Sequence, residues 1–99
     1  LMKDNLLIDI ENKHLVQCFG IAPTVVIPDI IETIEFGAFA ENSVKDIVLP
    51  FSLKGIDMFP FCWNMLETIF VPKGRKQYYE QLFDKNDSGE LKVKLKELE

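Results

Sequence analysis

The sequence predicts a β-rich solenoid: short coils stacked into a narrow parallel sheet, with a β-hairpin cap before them and a short capping helix after them. Two observations predict it. The dipeptides Ile27-Pro28, Leu49-Pro50 and Val71-Pro72 recur at intervals of 22 residues. Laid over each other without a gap, residues 27–48 and 49–70 match Pro28 to Pro50, Ile34 to Ile56, Phe39 to Phe61, Asn42 to Asn64 and Ile47 to Ile69. Like replaces like in between: Ile31 by Leu53, Val44 by Leu66, Glu35 by Asp57, Ala40 by Cys62. A unit this short cannot bury its apolar face alone, so it must stack on its copies.

The elements follow in order. Residues 6–26 form the N-terminal hairpin cap: Leu6–Ile10 and Leu15–Phe19 are apolar runs flanking the polar turn Glu11-Asn12-Lys13-His14. Residues 27–48 are the first repeat and 49–70 the second. Within them, Val44-x-x-Ile47-x-Leu49 and Leu66-x-x-Ile69-x-Val71 carry the leucine-rich signature, with Val25-x-Ile27 as forerunner. Residues two apart in a strand share a face, so Ile47 and Leu49 point inward and Val48 outward. The prolines stand where each strand ends, lacking the N–H that would continue the ladder. Ile31, Ile34, Leu53 and Ile56 supply a second set of inward anchors, and Phe39 stacked on Phe61 fills the wide side of the coil. Residues 71–83 are the end of the last strand and the capping helix, with Tyr78, Tyr79, Leu82 and Phe83 at i+3 and i+4 spacing. Residues 84–99 are a polar turn and a tail whose alternating Lys92, Lys94 and Lys96 fit a strand. Leu91, Leu95 and Leu98 fit a helix as well.

The run from Ile27 to Pro50, Ile-Pro-x-x-Ile-x-x-Ile-x-x-x-Ala-Phe-x-x-Asn-x-Val-x-x-Ile-x-Leu-Pro, resembles the bacterial BspA-like leucine-rich repeat. The resemblance covers roughly residues 6 to 83. It departs at Glu35 and Asp57, where the family prefers glycine, and at Pro60, where it prefers alanine. The resemblance implies a leucine-rich-repeat solenoid without the asparagine ladder of the generic repeat. It implies a bacterial, secreted or surface-displayed protein that engages host proteins or other cells, an adhesion module rather than an enzyme.

Composition narrows the partners. A net charge of -5 and a pI near 4.8 argue against a phosphate-binding surface, since nucleic-acid domains usually show a basic face. No run approaches the roughly 18 to 20 apolar residues of a membrane span. The start, Leu1-Met2-Lys3-Asp4-Asn5, lacks the apolar core of a secretory signal. Met2 as initiator and a domain cut from a longer chain both fit.

Each candidate chemistry meets a plainer reading. Asp84-Lys85-Asn86-Asp87-Ser88-Gly89-Glu90-Leu91 matches the first eight positions of a calcium loop, with Asp84, Asn86 and Ser88 as oxygen ligands. Its twelfth position is Leu95 in place of the bidentate glutamate, so a polar turn is expected and no metal. His14 is the sole histidine, without a second ligand near it. Were Cys18 in the column of Cys62, two rungs would part them by roughly 10 Å, beyond the roughly 7 Å that a disulfide spans. Trp63 aligns with the variable Glu41, as packing residue or binding anchor. No cofactor motif occurs.

The expected recognition face is the outward side of the strands. It carries three columns: Val26, Val48 and Phe70; Pro23, Lys45 and Glu67; Thr24, Asp46 and Thr68. The partner expected is a protein, with Phe70 its anchor. The alternative is a structural cap or spacer in a longer array, with no ligand of its own.

Overall fold

The computed structural model describes residues 1–19, 22–35, 38–39, 44–56, 66–87 and 94–98. Phe61, Cys62 and Trp63 lie outside them, as do Asn42 and Asn64, so the aromatic stack and the cysteine separation do too.

In chain order the elements are β1 (Met2–Lys3), β2 (Leu6–Asp9), β3 (His14–Cys18), β4 (Thr24–Val26) and β5 (Thr33–Ile34). They continue with β6 (Asp46–Val48), β7 (Gly55–Ile56), β8 (Thr68–Val71), α1 (Lys76–Asp87) and β9 (Lys94–Glu97). Two sheets result. One runs β4-β6-β8-β9, parallel throughout; the other runs β1-β2-β3-β5-β7, antiparallel at its start and parallel from β3 onward.

The 22-residue period is the register of both sheets. Val25, Ile47 and Ile69 stand side by side, as do Thr33 with Gly55 and Ile34 with Ile56. Ile31, Ile34, Leu53 and Ile56 are buried with Ile47, Leu49, Ile69 and Val71. Phe39 is fully buried among them. Each strand of the first sheet is joined to the next level of the second, giving the pairs β3/β4, β5/β6 and β7/β8. At the fourth level α1 takes the place of a strand, packing on β7 and on β9.

β2 and β3 pair antiparallel as a hairpin, with two features beyond the expected one and one correction to its turn. Asp4 and Asn5 have φ of 51° and 65°, so they make a two-residue turn that adds β1 to the edge of β2. Both residue types tolerate that left-handed backbone. A bulge between Leu7 and Ile8 then puts Leu15 opposite Ile8 but Cys18 opposite Leu6. Leu15 and Cys18, three apart, are therefore both buried, which plain alternation forbids. Finally, His14 is not in the turn. The Asp9 carboxylate accepts from Asn12 Nδ2 at 2.9 Å and from its backbone N–H at 3.2 Å, closing the turn earlier and leaving His14 to begin β3. The Asn12 side chain and backbone hold the Asp9 carboxyl below the usual carboxylate range.

The C-terminal expectation is corrected. The helix was expected to end at Phe83 and give way to a polar turn, but it runs on through Asp87. Tyr79 and Phe83, four apart, are its buried face, and Asp84–Asp87 extend it by another turn. The tail resolves as strand β9, adding Leu95 beside Ile69. Its Glu97 carboxylate accepts from the backbone N–H of Gly74 at 3.1 Å and of Lys76 at 3.2 Å. The first turn of α1 has no acidic residue of its own, so the tail supplies its N-terminal acceptor. Gly74, at φ +81°, makes the bend that aims both amides at it. Glu97→Ala is expected to cost about 1 kcal/mol, which in a domain of this size lowers the midpoint of a thermal melt by roughly 4–8 °C. An unchanged midpoint would show that the cap is idle.

Candidate interaction face

The columns expected from the sequence come together. Val26, Val48 and Phe70 are neighbours on β4, β6 and β8, and Thr24, Asp46 and Thr68 form the next column. Pro23, Lys45 and Glu67 follow on the strand approaches, linked by backbone bonds from Lys45 N to Pro23 O (2.8 Å) and from Glu67 N to Lys45 O (2.7 Å). Alternation gives them their faces: Ile47 and Ile69 are fully buried, while Val48 and Phe70 between the buried positions are half-buried. Val26, at 64% exposure, is the barest apolar side chain of the sheet. Lys45 and Glu67 are exposed.

The tail extends this face in a way that sequence reasoning left open. Lys96 continues the Val26–Val48–Phe70 column, and Lys94 continues the Thr24–Asp46–Thr68 column. The face is thus apolar toward β4 and cationic toward β9.

Sequence reasoning missed a cleft at the C-terminal ends of the same strands. It has a volume of about 370 Å³ and is lined mainly by Val26, Pro28, Val48, Pro50, Phe51 and Leu98, with Asp29 and Lys73 at its rim. Phe51 is 58% exposed, and Asp29 Oδ1 accepts from its backbone N–H at 3.1 Å. The Arg75 guanidinium lies 4.9 Å from the centre of the Phe51 ring and 4.5 Å from that of Tyr78, a cation held over aromatic faces. The signal for this cleft was the proline ladder itself. Three strand ends finishing in proline leave a row of rings and unfilled corners, a row read from the sequence only as strand termination.

The back sheet carries charge. Glu32 Oε2 lies 3.6 Å from Lys13 Nζ and 3.5 Å from Lys54 Nζ. His14 pairs through Nδ1 with the Thr33 hydroxyl, and its Nε2 lies 3.5 Å from Glu35 Oε2. A hydroxyl and a carboxylate occupy both ring nitrogens, so His14 serves as a strand-to-strand link. Among the described residues no group of His, Cys, Asp and Glu is arranged to hold a metal ion. Of the tail segment read against a calcium loop, Asp84–Asp87 are helical and Leu95 is part of β9, packed against the core; Ser88 to Val93 lie outside the described residues. No helix among the described residues is long and apolar enough to cross a membrane.

A family model described as BspA type leucine rich repeat region matches residues 8–97, in six copies. No curated protein and no solved structure matches the chain.

Proposed function

The chain belongs to the BspA-type leucine-rich-repeat family, and from that premise we propose that it is a non-catalytic solenoid that binds a protein through the outward face of β4, β6 and β8. Repeats of this family are typically non-catalytic interaction modules. The observation that carries the reading is the run of Val26, Val48 and Phe70 on adjacent strands, opening onto the apolar cleft at Phe51. An apolar centre with Lys45, Asp46, Glu67 and Thr68 around it has the anatomy of a protein interface: a core that excludes water and a polar rim. Stacked strands consume their inward side chains in the core, so recognition falls to the outward ones. Adhesion to a host or cell-surface protein is the role that the family resemblance favours.

Beads coated with the protein should adhere to epithelial cells. Phe70→Ala should lower the affinity of that capture by 30-fold or more, the loss of about 2 kcal/mol that marks a hot spot. Val48→Asp should abolish it, with an unchanged far-UV spectrum in both variants. Wild-type adhesion by both variants would sink the face assignment; no adhesion by the unaltered protein would leave the spacer reading, in which the chain only joins other repeats.

A further inference from the structure

The two ends of the first sheet differ, and the difference points to a second binding site. Pro23 O accepts from Asp46 N, and Ile27 N donates to Val48 O. In a parallel ladder that commits the odd-numbered residues of β4 to β6, so the amides and carbonyls of Thr24 and Val26 face away, toward the outer edge. No strand among the described residues lies there. Val25 shares a column with the fully buried Ile47 and Ile69 yet is only half-buried, with no strand among the described residues to cover it from that side. A cavity of about 270 Å³ opens beside it, lined by Asp4, Asn5, Ala22, Thr24, Val25 and Val26.

The fold makes this place a notch. In the second sheet β2 and β1 continue two strands beyond β3, roughly 10 Å at the usual spacing. The first sheet stops at β4, one level with β3. Asp4 and Asn5, at the tip of the β1–β2 turn, form the far wall. The opposite edge is protected: β9 carries Lys94, Lys96 and Glu97, the charges that keep an edge strand from pairing. β4 carries threonine and two valines, β-branched and uncharged.

We propose that the β4 edge takes an extended peptide segment of another protein, added as a parallel strand, with an apolar side chain over Val25 and a basic one against Asp4. Asp4 is the one charged residue lining the notch among the described residues. A second copy of this chain fits it poorly. Its free β9 has α1 packed alongside, on the side where β1 and β2 project. The site uses the backbone edge of Thr24 and Val26, whose side chains belong to the outward face, so Phe70→Ala, which leaves that edge intact, tells the two apart.

Amide exchange followed by NMR tests this. In the free protein Thr24 and Val26 should exchange rapidly while Val25 is protected. A blocked heptapeptide alternating valine and threonine, with a lysine at each end, should protect Thr24 and Val26 at least tenfold. Asp4→Asn keeps the left-handed turn and should weaken that peptide several-fold, but not its lysine-free analogue. Val26→Pro removes only the outward donor, a change that edge strands accommodate, and should abolish binding of both peptides while leaving the melting curve nearly unchanged. The proposal is overturned if millimolar peptide protects neither amide. It is equally overturned if both amides are protected without peptide, since the molecule or a second copy, visible as a dimer in sedimentation, then fills the edge itself.

Discussion

Ile47→Asp is expected to leave the protein without cooperative structure in water at neutral pH. Ile47 is fully buried on the middle level of the first sheet, with Val25 on one side and Ile69 on the other. An aspartate there removes the apolar filling and places an unpaired carboxylate in the core. Breaking a charge out of its compensation in an interior costs about 3–5 kcal/mol, and the lost packing adds about 2–5 kcal/mol. A domain of this size has about 5–15 kcal/mol in total. Val48→Asp, one residue later, places its carboxylate on the outward side and should move a urea midpoint only slightly. Far-UV spectra and urea titrations of the two variants read out the contrast. A cooperative transition in Ile47→Asp near that of wild type would mean that the strand faces the other way.

The second large effect is expected at Tyr79. Its ring is fully buried on α1, and its hydroxyl donates to the Pro50 carbonyl at the turn after β6. Beside it Tyr78 donates to Leu53 O at 2.9 Å, with the two rings edge-on at 5.0 Å. These two residues pin the helix to the strand corners beneath it. Tyr79→Ala should cost about 3–5 kcal/mol, the range for deleting a large buried aromatic, and so lower the melting midpoint by roughly 15–30 °C. Tyr79→Phe keeps the ring but leaves the Pro50 carbonyl without its donor, a cost of about 1–2 kcal/mol. Burial pushes the Tyr79 phenol above its ordinary range; the Arg75 charge opposes this, and Tyr78 and Asp29 add to it. The folded protein therefore holds that proton more tightly than the unfolded chain. The stabilisation is complete below the unfolded tyrosine value of about 10 and is lost as pH rises from there through the folded value. Wild type should lose stability above pH 10 more steeply than Tyr79→Phe. Parallel curves for the two would show that the phenol is not the titrating group.

How much of this was legible depended on periodicity. The strands β6 and β8 and their facing residues could be read directly, because identical residues in identical columns leave one register. Beyond its hairpin, the second sheet was legible only as buried anchors, since Thr33–Ile34 and Gly55–Ile56 are too short to show alternation. The tail could not be decided because Lys94-Leu95-Lys96 satisfies a period of two and Leu91, Leu95 and Leu98 satisfy a helix. Its strand is fixed by the bare edge of β8, a tertiary fact. The helix end was misplaced for a related reason: Asp84, Asn86 and Asp87 are turn formers by local preference, but Tyr79 and Phe83 anchor the turn before them. Of the face, the columns were readable and the cleft was not, because Phe51 and Leu98 meet there only once the strands have stacked.

Strand partners in these sheets are drawn from similar distances along the chain: Leu15 with Ile34, Ile34 with Ile56, Val26 with Val48, Val48 with Phe70. Loop closure therefore exacts nearly the same entropy at each step, and no single pairing is a slow, long-range search. The first two neighbouring levels to meet form a nucleus, and the others add to it one at a time. Changes in β6 and β8 should accordingly retard refolding, whereas changes in β1 and β9 should chiefly hasten unfolding. On that account the molecule should zip from its middle and fray from its ends.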